Sequence, residues 1–120
     1  MKSIKLSQGT GRTRVQHSTQ LIGSDLIVCI FNKMGHIGAV AVADYDFKEK
    51  RASTSIITRL GHKDDQVAYS AAYQLCRRFR KPVCVIAGIH VDNISKEEIA
   101  QITRNCDVLL RKLIEASCDS

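Results

Sequence analysis

Two short runs of uninterrupted apolar residues constrain the fold of this chain most strongly. They are residues 26–31 and 83–87, and each follows a segment that turns or stops the chain, Gly23-Ser24-Asp25 in one case and Pro82 in the other. Apolar runs of this length, without polar alternation, are typical of strands that are covered on both faces. We therefore expect a fold built around a sheet that contains both runs.

Three further segments have the character of strands. Residues 12–21 alternate, with Val15, His17, Thr19 and Leu21 on one face and polar side chains on the other. Residues 37–43 and 52–60 follow, separated by turn-forming segments. The first half of the chain is therefore predicted to be a four-stranded meander.

The second half changes to helical spacing. Residues 64–80 carry an apolar stripe rich in alanine, and Pro82 stops this helix. Ser95 and Glu98 form a capping box before a second amphipathic helix. The predicted fold class is α/β (α+β), in the order β-β-β-β-α-β-α, with a mostly antiparallel sheet, one right-handed βαβ crossover over residues 52–87 and two packed helices.

Length and composition limit the organisation of the chain. With 120 residues, 44% of them apolar, we expect one domain over residues 1–120, frayed at 1–10 and 116–120, that needs no cofactor to fold. The five cysteines form no CxxC pair. Because the sequence has neither an apolar leader nor a run long enough to span a bilayer, we expect no membrane association and a cytoplasmic location.

The net charge favours anionic partners. Eighteen Lys and Arg residues exceed twelve Asp and Glu residues, giving +6. Nucleic acid is a poor candidate among such partners, because aromatic residues make up only 5% of the chain and offer no stacking platform. Nucleotides and acidic protein surfaces remain.

Three glycine–histidine segments should lie near one another. In the predicted topology, Gly35-His36, Gly61-His62 and Gly88-Ile89-His90 all reach the same edge of the sheet, where both helices also begin. Arg12, Arg59 and Lys63 would add cations to the free N–H groups of the helix starts. This edge is therefore predicted to hold a phosphate or carboxylate.

The same histidines permit a second hypothesis. His36, His62 and His90, with Asp92, could hold a zinc ion that retains an open coordination position. No HxH or HExxH pair supports this metal-dependent enzyme, and the chain has no GxSxG, Walker or GxGxxG motif. We therefore predict neither a catalytic residue nor a resident metal.

The segments at 35–39, 53–55, 58–65 and 87–94 resemble the LpdD-like domain, a prenylated-flavin chaperone similar in fold to proteasome-assembly chaperones. The resemblance covers most of the chain. It implies a non-catalytic role in delivering prenylated FMN to a UbiD-type decarboxylase, or in maturing that enzyme, with prenylated FMN or FMN bound transiently. The predicted cofactor-binding or partner-binding residues are Gly35, His36, Arg59, Gly61, His62, Lys63, Gly88, His90, Asp92 and Asn93.

Similarity to proteasome-assembly chaperones implies a different function. The chain would then be a protein-interaction module, of a kind often paired as a homodimer, with no small ligand. The cations and the alternating first strand would serve such a surface equally well. The sequence leaves both functions open.

Overall fold

The computed structural model describes residues 3–59 and 64–118. Six strands form one mixed sheet: β1 (Lys5–Gln8), β2 (Val15–Ile22), β3 (Asp25–Phe31), β4 (Ala39–Asp46), β5 (Arg51–Thr58) and β6 (Val83–Gly88). The helices are α1 (Asp65–Phe79) and α2 (Lys96–Cys118), and a 3-10 turn at Gly11–Thr13 precedes β2. No helix in the described ranges is long and apolar enough to cross a membrane.

The fold class predicted from the sequence is confirmed, with one additional strand. Across the sheet the strands lie in the order β1-β2-β3-β6-β4-β5, and only the β3–β6 pair is parallel. The added strand, β1, pairs with β2 at the edge of the sheet. Its sequence, Lys-Leu-Ser-Gln, is too short and polar to show a strand pattern clearly.

The predicted meander is wrong, because β6 is inserted between β3 and β4. The seven residues 32–38 that join β3 to β4 are longer than a tight hairpin turn, so the two strands need not be neighbours. Insertion places the two apolar strands, β3 and β6, side by side in the interior of the sheet, where their side chains are best covered. Strands β5 and β6 still run in the same direction, as predicted, with β4 between them.

Both helices cover one face of the sheet. Helix α1 packs on β4, β5 and β6, whereas α2 packs on β1 and β2. The alternate residues of the strands that face them are fully buried, among them Val15, Val28, Ala41 and Val85. The predicted alanine stripe of α1 and most of the predicted stripe of α2 are buried against this face, although Ile99 is half exposed.

Neither α1 nor α2 lies on the opposite face of the sheet. Cys29, Ile86, Val40 and Ile57 form a row across β3, β6, β4 and β5 on this face. The first three are partly buried by their neighbours, and Ile57 is 74% exposed. The helices therefore cover one face of the apolar strands, and no described element covers the other, which differs from the coverage on both faces that their sequence predicts.

Candidate functional site

The connections that follow or precede the strands meet at one end of the sheet. The C-terminal ends of β3, β5 and β6 and the N-terminal ends of β2 and β4 lie there, together with the starts of both helices. We call this the Gly-His end and define it as residues 11–14, 32–38 and 88–95 together with Arg59 and Asp64. Of the three segments expected to converge, Gly35-His36 and Gly88-Ile89-His90 meet here, and Gly61-His62 lies outside the described residues.

Two glycines allow the chain to cross over itself at this end. A Cβ atom at Gly88 would lie 1.3 Å from the carbonyl oxygen of His36, and one at Gly35 would lie 2.2 Å from that of Gly88. Only glycine tolerates such an approach of backbone to backbone. As a result, the segment before β4 lies directly over the end of β6, and the rings of His36 and His90 are 5.7 Å apart between centroids.

Asn32 fixes the backbone of His90. Its side-chain amide donates to the carbonyl oxygen of His90 at 2.8 Å and its amide oxygen accepts from the His90 N–H at 3.1 Å. Asn32 is 9% exposed, so these bonds are shielded from water. The sequence shows this residue only as turn-forming, because its partner lies 58 positions away.

The imidazole of His90 points outward and is oriented by a carboxylate. Its Nε2 lies 2.8 Å from Oδ1 of Asp92, and both side chains are exposed. Hydrogen bonding to a carboxylate fixes the orientation of the ring. The pair can therefore present the other ring nitrogen, Nδ1, to a ligand at the surface.

Arg12 ties the 3-10 turn to the start of α2. Its Nε donates to Oε2 of Glu98 at 2.8 Å, and its guanidinium also donates to the carbonyl oxygen of Asp92. The bond from Arg12, followed by the one from the Ser95 N–H, lowers the pKa of Glu98 to about 2. The predicted capping box is present, with Ser95 Oγ accepting from the Glu98 N–H at 3.1 Å.

Arg59 and Asp64 hold the other side of the Gly-His end. The Arg59 guanidinium donates to the carbonyl oxygen of Ile37 at 2.8 Å. The buried carboxylate of Asp64 accepts from the Ile89 N–H at 3.2 Å. Three further predicted site residues, Gly61, His62 and Lys63, lie outside the described residues.

Carboxylates of the chain itself occupy both helix starts. Asp64 precedes α1, and Glu98 lies in the first turn of α2, where its oxygen accepts from the Ser95 N–H at 3.0 Å. Each carboxylate offsets part of the partial positive charge that an external anion would otherwise meet, although the Asp64 side chain makes no cap hydrogen bond to α1. Any attraction of this end for an anion must therefore come mainly from its cationic side chains.

Such side chains surround a cavity of about 520 Å³ beside β2 and β3. Its size lies within the range of small-molecule sites. The lining residues are Gly11, Arg12, Arg14, Gln16, Asn32, Lys33, Met34, His90, Val91 and Asp92. Three permanent cations and one histidine thus face a single carboxylate, which suits an anionic ligand.

Among the described residues, the predicted cofactor-binding residues lie at two places in the Gly-His end, one at the cavity and one beside Ile37. His90 and Asp92 line the cavity and His36 lies against His90, whereas Arg59 contacts Ile37. Asn93, in the turn after Asp92, has a positive φ of 51°. The sequence missed Arg14, Asn32 and Lys33 as lining residues, although the net charge and the exposed face of β2 offered a signal for Arg14.

The described residues contain no cluster of side chains that would support the zinc hypothesis. Within residues 3–59 and 64–118, no three His, Cys, Asp or Glu side chains come together in a way that could hold an ion. The third member of the hypothetical triad, His62, lies outside these ranges. Burial raises the pKa of Cys29, Cys76 and Cys84, so their thiols remain protonated.

Comparison with known proteins defines the class first. The chain is similar to a protein in the crystal structure of a chaperone complex for yeast 20S proteasome assembly, with a TM-score of 0.63, 14% identity, and coverage of 98% of this chain and 95% of the other. At this identity the likeness shows the fold alone. The family model of the prenylated flavin chaperone LpdD-like domain matches residues 9–117, and the chain belongs to this family. No curated protein matches it significantly.

Proposed function

We propose that this chain is a non-catalytic chaperone that binds an anionic flavin nucleotide, prenylated FMN or FMN, in the cavity at the Gly-His end. The observation that carries the proposal is the excess of cations around that cavity, in a member of a prenylated flavin chaperone family. The chain would hold the cofactor transiently and assist its delivery to a UbiD-type decarboxylase, or the maturation of that enzyme.

The lining of the cavity offers separate contacts for the phosphate and for the ring system of the flavin. Arg14 and Lys33 are exposed and lie on neighbouring elements, where their charges can meet a phosphate. Arg12 is held by Glu98 and contributes less free charge. Met34 and Val91 offer apolar contact to a flat ring system, and His90 offers a hydrogen bond.

A titration with FMN tests the site. We expect saturable quenching of flavin fluorescence by the wild type, and about tenfold weaker binding by Arg14→Ala and by Lys33→Ala, because each loses a charge-assisted contact to phosphate. Arg111→Ala, which removes an exposed cation on α2 away from the cavity, is the matched control and should bind as the wild type does. Equal binding by all four proteins would argue against a phosphate site in the cavity.

Arg59→Ala distinguishes the two sides of the Gly-His end. The sequence predicts Arg59 as a phosphate ligand, but its guanidinium donates to Ile37 and it does not line the cavity. If the flavin occupies the cavity, this variant should retain binding. A strong loss in Arg59→Ala with unchanged binding in Arg14→Ala would move the site to the side that carries Arg59 and Asp64.

The open sheet face favours a second candidate function, a protein-interaction module without a small ligand. Val42 is 49% exposed and Ile57 is 74% exposed on this face, which gives it an apolar surface that a partner or a second copy could cover. Purification with associated proteins separates the functions. Recovery of a decarboxylase with the chain supports the flavin chaperone. Ile57→Lys tests the open face separately, because it would abolish recovery of the associated protein only if that protein covers this face.

A further inference from the structure

A buried histidine outside the Gly-His end has no hydrogen-bond partner among residues 3–59 and 64–118. His17 lies on β2, facing the helices, and is 2% exposed. Neither Nδ1 nor Nε2 makes a hydrogen bond to any described residue. Buried polar groups are nearly always paired, because an unpaired donor or acceptor loses its bonds to water without compensation. The two nitrogens therefore need a hydrogen-bond partner that the described residues do not supply.

His17 lines a cavity of about 240 Å³ between α1, α2 and the sheet. Ile30, Val67, Ala71 and Leu110 give the cavity an apolar interior. Its exposed rim is polar, and consists of Gln66, Ser70, Thr103 and Asp107. The cavity therefore combines an apolar interior with one buried hydrogen-bonding group, the imidazole of His17.

Water alone fits this cavity poorly. A single water needs roughly 10 to 15 Å³ of probe-occupied space and two to four polar partners. The cavity is many times larger than that, and most of its buried lining is apolar. A molecule with an apolar body and a polar group would both fill the apolar volume and pair the nitrogens of the imidazole.

The charge state of His17 selects the polar group of that molecule. Burial lowers its pKa to about 4, so the ring is neutral at pH 7. A neutral imidazole has one N–H donor and one nitrogen acceptor, and a hydroxyl group can both donate and accept. No Lys or Arg lines the cavity, and Asp107 lies at its rim, so an anion would be repelled.

We propose that the cavity between α1 and α2 is a binding site for a small, uncharged molecule with an apolar body and a hydroxyl group that hydrogen-bonds to His17. This site is distinct from the cationic cavity at the Gly-His end, with which it shares no lining residue. It does not depend on flavin binding there.

Phenol and benzene form a pair of probes that differ only in the hydroxyl group. In an NMR titration of the full chain, phenol should bind saturably, with shifts of the His17 ring nitrogens, and benzene should bind on the order of tenfold more weakly. His17→Phe keeps a planar ring but removes both nitrogens, so it should abolish the preference for phenol. 4-Hydroxybenzoate, which adds a negative charge, should not bind.

A variant at the rim covers the case in which His17→Phe does not fold. Thr103→Leu keeps His17 and changes an exposed residue of α2, yet it places a larger side chain at the cavity. It should weaken phenol and benzene alike, whereas its neighbour variant Arg104→Leu, outside the lining, should leave both unchanged.

Four results would overturn the proposal. They are no saturable binding of phenol, which would leave only water in the cavity; equal binding of phenol and benzene by the wild type; a preference for phenol that survives in His17→Phe; and unchanged phenol binding in Thr103→Leu.

Discussion

The two ends of the sheet are built in different ways. At the end opposite the Gly-His end, short local turns join β2 to β3 at residues 23–24 and β4 to β5 at residues 47–50. At the Gly-His end, the connections bond to one another across long stretches of sequence, as Asn32 does with His90. Substitutions at the turn end should therefore act locally, and substitutions at the Gly-His end should disturb several connections at once.

Gly88→Ala should produce the largest loss of stability. The added Cβ atom would lie 1.3 Å from the His36 carbonyl oxygen, and backbone must move to admit it. We expect the free energy of unfolding to fall by about 3 kcal/mol or more, as in severe overpacking. Urea unfolding followed by circular dichroism measures this change.

Gly23→Ala is the matched control at the turn end. Gly23 has a φ of 59°, but an added Cβ would meet nothing within 4 Å. Only the left-handed conformation is then unfavourable, which costs about 1 kcal/mol. Similar losses in Gly88→Ala and Gly23→Ala would show that the close crossing at the Gly-His end has no energetic weight.

Mild acid should destabilise the fold through His17, near the Gly-His end of β2. The folded pKa of His17 is about 4, lowered from 6.5 by burial. Between these values the unfolded chain binds a proton that the folded chain does not, so the stability present above pH 6.5 is lost as the pH falls to 4. The loss is about 3 kcal/mol.

His17→Phe isolates that contribution. The difference in the free energy of unfolding between wild type and variant should change steeply from pH 6.5 to 4 and stay constant above pH 7. A constant difference over the whole range would mean that His17 is not buried in its neutral form. Unfolding by urea at each pH gives the comparison.

Asp64→Ala should have the next largest effect. This substitution leaves the N–H of Ile89 without its charged acceptor in a partly buried position. We expect a loss of about 1 to 3 kcal/mol and faster hydrogen exchange at Ile89.

Asp46→Ala removes a similar side chain at the turn end. Its Oδ1 accepts from the N–H groups of Lys48 and Glu49, in an exposed turn. Water can replace both bonds, so the loss should be about 0.5 to 1 kcal/mol. A larger loss in Asp46→Ala than in Asp64→Ala would reverse the proposed ranking of the two ends.

The elements of the fold could be predicted because their signals are local. The apolar runs of β3 and β6, the alanine stripe of α1 and the Ser95–Glu98 capping box all lie within one element each. Strand order is not local: whether β6 or β4 lies beside β3 depends on which arrangement buries the apolar strands best. The hydrogen bonds of Asn32 with His90 follow from that order, so the sequence could not predict them.

The convergence of Gly35-His36 with Gly88-Ile89-His90 was nevertheless predicted correctly from a wrong strand order. Which end a connection reaches depends on the direction of each strand, and the directions were predicted correctly even though β3 and β4 are not neighbours as predicted. The unpaired state of His17 could not be predicted in the same way. Its alternating pattern in β2 places it on the buried face, but its lack of a partner depends on how α1 and α2 approach each other.

The smallest expected effect comes from the exposed pair of Arg12 and Glu98. Glu98→Gln keeps the shape of the side chain and can keep the capping box, but it removes the charge that binds Arg12. Because the pKa of Glu98 is about 2 when folded, against 4.5 when unpaired, the stability from this charge is present above pH 4.5 and is lost as the pH falls to 2. Wild type and Glu98→Gln should therefore differ slightly in stability at pH 7 and at low salt, and converge below pH 2 or at high salt, because surface ion pairs are weak and screened.

The same variant, Glu98→Gln, should also free Arg12 toward the cationic cavity and strengthen FMN binding there. Weaker FMN binding in Glu98→Gln would show instead that the bond to Glu98 positions Arg12 for the ligand.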